Sequence, residues 1–414
     1  MWALFLGVLA MMLGNGLQGT AMGVRATNEA FAIAAIGIIQ AAYYVGFLLG
    51  SRFTIRALGK VGHVRVFAAM ASMASTAFVL PALIVNEIAY TFMRLVIGFC
   101  MAGLYVVTES WLNDQATPET RGRTLSIYMV VSLGGVTGGQ LLLNVADPSG
   151  FELFVIASVL VSISLVPMAL SESSAPPLPQ VGRLPFRELF AIVPTGVITM
   201  FFSGAAAGAI FAFGPVYGAR IGMNNAQISL FIAASLFGSM LFQMPVGYIS
   251  DRVPRRGVIA VVAAIATVAS LFGPATGTGN SAFLVMFVIG ATSFPLYSLA
   301  IAYTNDWITN EQRVGASGLL VMINGVGAIL GPLVASWLMG AFGSSAYFWV
   351  LIAAHALVLI YVLFRIASND AVPVGEQSQF RSYPARSSPL ATAIGRRRLP
   401  RPTRPRTSRT RSTD

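Results

Sequence analysis

Apolar residues come in runs of about twenty along the first 366 positions, separated by brief polar stretches. A bilayer core about 30 Å thick is crossed by roughly 20 apolar residues in helical form. The pattern therefore predicts an all-α membrane protein with twelve transmembrane helices, over 2–24, 31–51, 64–84, 88–110, 124–146, 151–170, 189–217, 226–250, 257–275, 281–303, 314–340 and 345–366. Barrel strands would be shorter and would alternate in polarity, which these runs do not. The first run begins at Trp2 with no basic stretch and no small-residue cleavage site before Arg25, so it reads as a retained helix that also targets the membrane.

Composition agrees: 56% of the 414 residues are hydrophobic, 10% are charged and mean hydropathy is +0.75, outside the range of a water-soluble domain. Cys100 is the single cysteine, which excludes disulfides within the chain, thiolate metal clusters and CxxC redox chemistry. His63 and His355 are too isolated to suggest a metal site, and no cofactor is expected. No phosphate-binding Gly-rich loop is present, so ATP is not the expected driver, and no enzymatic step is predicted.

The 26 basic residues sort by loop. Loops after the even-numbered spans hold Arg52, Arg56, Lys60, Arg65, Arg121, Arg123, Arg183, Arg187, Arg252, Arg255, Arg256 and Arg313, whereas the opposite side holds Arg25 and Arg220. By the positive-inside rule both termini are expected in the cytoplasm, in a bacterial inner membrane. The Ser- and Pro-rich stretch 171–188 reads as a cytoplasmic linker between a six-helix bundle at 1–170 and another at 189–366.

The two halves share sequence. "ETRGRTLSIYMVVSLGGVTGG" (119–139) and "EQRVGASGLLVMINGVGAILG" (311–331) align Glu119 with Glu311, Arg121 with Arg313, Gly135 with Gly327 and Gly139 with Gly331 at an offset of 192. Gly37 and Gly46 align with Gly238 and Gly247 at a second offset, 201. Such repeats mark secondary transporters built around a midplane site.

With Gly247, Asp251, Arg252, Arg255 and Arg256 in "GYISDRVPRR" and Arg94 opening "RLVIGFCMAG", the chain resembles the major facilitator superfamily; "GHVRVF" (62–67), "ESWLN" (109–113) and "RGR" (121–123) resemble its YcaD-like branch. The resemblance implies two pseudo-symmetric six-helix bundles and a cytoplasmic gate at Glu109, Arg121, Gly247, Asp251, Arg252, Asp306 and Arg313, held by ion pairs among the charged ones. The first-half copy of the loop motif departs from the pattern, with Gly50 where the Asp belongs, so the second half is expected to carry more of the gate. Basic cytoplasmic loops also set topology by themselves, and that plainer reading of the charges stays open.

Arg94 is the one charge well inside a span. It either snorkels to the headgroups or faces the bundle interior, where it would order the cavity, bind an anionic group or modulate a proton site. Its partner is not evident, since Glu109 lies about 22 Å along the same helix. Polar residues at helical spacing complete the expected substrate pathway: Asn15 with Gln18, Gln40 with Tyr44, Gln140 with Asn144, and Thr195, Thr199 and Ser203 in line. The resemblance adds Gln243, Tyr297 and Asn324. Interhelical hydrogen bonds are the alternative role for each of them. No acid lies mid-span, so proton coupling has no visible carrier.

The last segment, 367–414, is rich in Arg and lacks apolar periodicity, and reads as a disordered cytoplasmic tail. Beside a membrane it would meet anionic lipid before nucleic acid, so the expected partners are a small-molecule substrate and lipid, with no nucleic acid. A monomer is expected. The expected function is secondary transport of a small organic solute by alternating access; a non-transporting sensor or adaptor and a passive facilitator are the alternatives.

Overall fold

A computed structural model describes residues 2–117, 120–170, 184–309, 311–368 and 372–380, with the side chains of Asn113, Asp114, Arg121 and Val314 outside the description. Among the described residues there are thirteen α-helices and no strand. The first bundle holds α1 (Trp2–Asn28), α2 (Ile33–Val61), α3 (His63–Leu83), α4 (Glu87–Gln115), α5 (Arg121–Leu141) and α6 (Glu152–Ala169). A short α7 (Phe186–Ile192) precedes the second bundle of α8 (Pro194–Arg220), α9 (Asn225–Ser250), α10 (Arg255–Phe272), α11 (Asn280–Trp307), α12 (Gln312–Phe342) and α13 (Tyr347–Ser368). All but α7 supply a segment long and apolar enough to cross a bilayer, twelve in all. With an even number of spans, Trp2 and Ser368 lie on one face, the terminal face; the other is the far face.

Local chemistry sets several boundaries. Asn86 caps α4 by accepting from the N–H groups of Ile88 and Ala89, and Asn224 forms a capping box with Gln227 at the start of α9. The single span predicted at 189–217 is instead two helices. Pro194 disfavours helical geometry in the residue before it, and Val193 turns away at φ −136°, ψ 61°, so the chain breaks there and restarts with Pro in the first turn of α8. Of the tail expected at 367–414, residues 367–368 and 372–380 are described. Helix α13 runs through Ser368, and residues 374–376 form a 3-10 turn before the extended segment 377–380, which returns to the second bundle.

The repeat keeps one register through the first three spans of each half and through its glycine contacts. Helices α1 and α8 begin and end 192 residues apart, α2 and α9 begin 192 apart, and so do α3 and α10. Close approaches repeat at the same interval. Gly98 lies against the Tyr43 backbone and Gly290 against Ser235; Gly46 lies against the Leu95 carbonyl and Gly238 against that of Phe287. A Cβ at any of these would collide with a carbonyl oxygen, so only glycine lets the helices approach. The offset of 201 read for Gly37 and Gly46 is therefore corrected to 192. The counterpart of Asp251 is Gly59 rather than Gly50, and Gly50 is needed for its own close contact with the Phe99 carbonyl.

In each bundle the first and fourth spans are the most buried, and α3, α6, α10 and α13 are peripheral, with exposed apolar side chains such as Ile163, Val261 and Ile360. The bundles meet through α2 with α12, α5 with α9 and α1 with α8. At the far face this seam is tight. Gly37 abuts Ser336, Gly23 abuts Val216, and Asn144 Nδ2 donates to Ser229 Oγ at 3.2 Å. One apolar core fills the first bundle and continues across the seam into the far half of the second, through Ile210, Phe213, Tyr217, Ile232 and Met339. The terminal half of the second bundle keeps a separate core around Val197, Val246, Ile259, Leu299 and Val362.

Candidate functional site

Arg94 lies seven residues into α4, about 10 Å below its far end. It is 4% exposed and does not snorkel outward. Nη1 donates to Gln18 Oε1 of α1 at 2.8 Å, Nη2 donates to Gln40 Oε1 of α2 at 2.5 Å, and the guanidinium stands 4.8 Å from the ring centre of Tyr43. The Tyr43 hydroxyl donates to Asn15 Oδ1 at 3.4 Å. Three helices thus converge on one cation. Each charge-assisted bond contributes about 1.5–3 kcal/mol, enough for two to offset the roughly 2.5 kcal/mol or more that an intramembrane Arg costs.

The amide oxygens are occupied by this arrangement and the amide nitrogens are not. Asn15 Nδ2, Gln18 Nε2 and Gln40 Nε2 are buried without a hydrogen-bond partner among the described residues. Gln40 Nε2 faces Gly23, which also meets Pro215 and Val216 of α8, so the cluster reaches the seam between bundles. A cation surrounded by N–H donors suits a carboxylate, a phosphate or another strong acceptor.

The repeat supplies an internal control. The positions 192 residues beyond Gln18, Gln40 and Arg94 are Ile210, Ile232 and Met286, all in the apolar core. The fold accepts aliphatic side chains at these positions. The polar set in the first half is therefore not a requirement of the shared fold.

The remaining pathway candidates divide. Gln140 Nε2 donates to the Gly16 carbonyl at 3.1 Å and its Oε1 accepts from the Thr20 hydroxyl, linking α5 to α1. Asn144 belongs to the far-face seam. Tyr44 packs edge-on against Tyr43 at 5.3 Å. In the second bundle Thr195, Thr199 and Ser203 share one buried face of α8, and Oγ1 of Thr195 and of Thr199 has no hydrogen-bond partner among the described residues. Gln243 Nε2 donates to Ser298 Oγ at 2.9 Å, Asn324 Nδ2 donates to the Met200 carbonyl at 3.2 Å, and Tyr297 is buried next to Ser298 in α11.

Two of the gate candidates meet on one arginine. Asp251 and Asp306 converge on Arg255, which is 1% exposed, at 2.9 and 2.5 Å. Arg252 is not in this network; it lies 3.2 Å over the Tyr248 ring and donates to the Tyr248 carbonyl. Glu109 accepts from the Tyr128 hydroxyl at 2.9 Å, within the first bundle, and Arg313 donates to the Asn305 carbonyl, within the second. Gly247 is covered by the Phe380 ring. The Arg121 side chain lies outside the described residues. Reading by motif missed Tyr43, which sits one turn from Gln40, and chose Arg252 over Arg255. The motif quoted both arginines, and a short turn after α9 decides which one returns to the bundle. Nothing in the sequence pointed to Ser378 or Phe380.

Comparison with known proteins agrees with this architecture. A family model described as Major Facilitator Superfamily matches residues 4–224 and, in a second match, 195–404. The chain belongs to the major facilitator superfamily. Among its relatives is an uncharacterised MFS-type transporter of Enterobacter sp. (strain 638), 24% identical over 90% of this chain and 97% of its own. Another is the uncharacterised MFS-type transporter YcaD of Escherichia fergusonii, 24% identical over 89% of this chain and 96% of its own. Among solved structures, the nucleoside transporter NupG superposes with a TM-score of 0.70 at 15% identity, covering 88% of this chain and 97% of NupG. A bacterial homologue of the human lysosomal transporter Spinster, in an inward-facing and unoccupied conformation, gives 0.67 at 16% identity, covering 87% and 94%. This member of the superfamily is a multi-pass membrane transporter with twelve candidate spans.

Proposed function

We propose that this protein is a secondary transporter that moves a small organic solute bearing an anionic or strongly accepting group across the bacterial cytoplasmic membrane, with both termini in the cytoplasm. Arg94 anchors that group, and the amide N–H donors of Asn15, Gln18 and Gln40 orient it. The observation that carries this reading is the replacement of Gln18, Gln40 and Arg94 by Ile210, Ile232 and Met286 in the other half, at equivalent places in the same fold. Chemistry present in one repeat and dispensable in the other is the mark expected of a ligand site.

Transport by alternating access requires two arrangements of the seam. The tight far-face contacts support a state closed to the periplasm; nearer the terminal face α2 and α12 also touch, at Leu48 with Gly325 and Arg52 with Met322. Reopening the far face means separating Asn144 from Ser229 and α2 from α12, and a ligand shifts that equilibrium only by binding one arrangement more tightly.

The test copies one half into the other. Arg94→Met, Gln18→Ile and Gln40→Ile, combined in one variant, should insert and fold, because the second bundle uses those residues at those places. A thermal-shift screen of metabolite anions should find compounds that stabilise the parent, by about 2.7 kcal/mol at a hundredfold excess over Kd, and leave the variant unmoved. Equal stabilisation of a folded triple variant by the same anions would overturn the assignment.

A further inference from the structure

Arg255 opens α10 on the terminal face and holds Asp251 and Asp306 with two nitrogens. A third component completes this network. Asp306 Oδ1 accepts from the backbone N–H of Ser378 at 2.7 Å and from its hydroxyl at 2.6 Å. Arg255 Nη2 donates to the Ser378 carbonyl at 2.7 Å. Two residues on, the Phe380 N–H donates to Asp251 Oδ1 at 2.8 Å, and the Phe380 ring lies over Gly247, where a Cβ would collide with it. An extended segment is thus gripped through alternate residues by its N–H, carbonyl and hydroxyl groups, with an aromatic ring seated on a glycine. Peptide-binding sites use this geometry.

At the positions 192 residues earlier stand Gly59 for Asp251, His63 for Arg255 and Asp114 for Asp306; the Asp114 side chain lies outside the described residues, and His63 hydrogen-bonds Ser110 at 2.9 Å.

The location gives the contact a consequence. Helices α5 and α9 are partners across the seam, joined at the far face by Asn144 and Ser229. At the other end of the same pair, Leu125 near the start of α5 packs on the apolar core of the second bundle on which Phe380 also packs. A closer approach of the start of α5 to the end of α9 at Gly247 and Asp251 would meet the Phe380 ring. Phe380 already covers that place.

We propose that Gly247, Asp251, Arg255 and Asp306 form a peptide-binding site whose ligand is the chain's own Ser378–Phe380 segment, and that its occupation blocks a closer approach of α5 and holds the far face closed. This rests on the alternating-access reading above. Release of the segment frees the site for α5 and lets the far face open.

The experiment uses full-length protein in nanodiscs on a Cys100→Ser background. Hydrogen exchange of the Ser378 and Phe380 amides should be at least tenfold slower than in an unstructured peptide of residues 372–380. The tail variant Ser378→Ala/Phe380→Ala, which leaves both bundles untouched, should lose that protection. In the same variant, labelling of Ser336→Cys at the far-face seam should rise at least threefold, and labelling of Met322→Cys toward the terminal face should fall. Amides that exchange at the unstructured rate in the parent would overturn the site. Protected amides with unchanged labelling in the variant would overturn the block on α5. Labelling that reports one fixed arrangement in every variant, with and without transported solute, removes alternating access and the control of it, while slow exchange in that case still assigns the peptide site.

Discussion

Gln40 Oε1 accepts a 2.5 Å hydrogen bond from Arg94 Nη2, and the same two places in the other half are filled by Ile232 and Met286. The pair belongs to a frame that both halves share, and its chemistry belongs to one half only.

Arg94→Lys keeps the charge and loses the fork that reaches Gln18 and Gln40 together. It should fold, and it should bind an anionic ligand at least tenfold more weakly than the parent. Isothermal titration with a ligand found by thermal shift measures this, and parent-like affinity would show that the second nitrogen is idle.

Gly98→Ala and Gly290→Ala should each destabilise by about 1–3 kcal/mol, because the new Cβ meets the backbone of Tyr43 or Ser235. Gly134→Ala and Gly257→Ala face open space and should change stability by less than about 0.5 kcal/mol. Unfolding in detergent with a graded denaturant compares the four. Equal losses at all four would mean that helix approach does not depend on these glycines.

Arg255→Gln leaves Asp306, 2% exposed, without its cation, and should cost about 3–5 kcal/mol. Arg252→Ala removes a guanidinium that stacks on exposed Tyr248 and should cost less than about 1 kcal/mol. Thermal unfolding distinguishes the two arginines; the opposite order would restore Arg252 to the network.

Asn144→Cys with Ser229→Cys, on a Cys100→Ser background, should be joined by a short thiol cross-linker, because the native side chains are 3.2 Å apart. The joined protein should lose solute flux in liposomes and recover it on reduction of a cleavable linker. Full flux with the link intact would mean that the far face need not open.

Some of this was legible from the chain alone. A span is a local property: about twenty apolar residues in sequence suffice, and the basic loops between the spans divide into two sides without reference to any distant residue. The same holds for the Gly135–Gly139 and Gly327–Gly331 repeat, whose glycines stand out in sequence. What the sequence could not decide depends on which helix faces meet. Arg94 finds its acceptors 76 and 54 residues away, on two other helices, and nothing local to any of the three names the others. The register of 192 through α2 and α9 follows from backbones in contact at Gly46 and Gly238, whereas glycine spacing alone had suggested 201. Pro194 was visible, but a hydropathy run does not register the loss of one N–H, so the break between α7 and α8 went unread. Ser378 and Phe380 stand in a polar segment without periodicity, and their partners lie 72 and 129 residues back. Only the folded bundle sets two carboxylates and a buried guanidinium at the spacing of an extended backbone, and that spacing is what selects the segment.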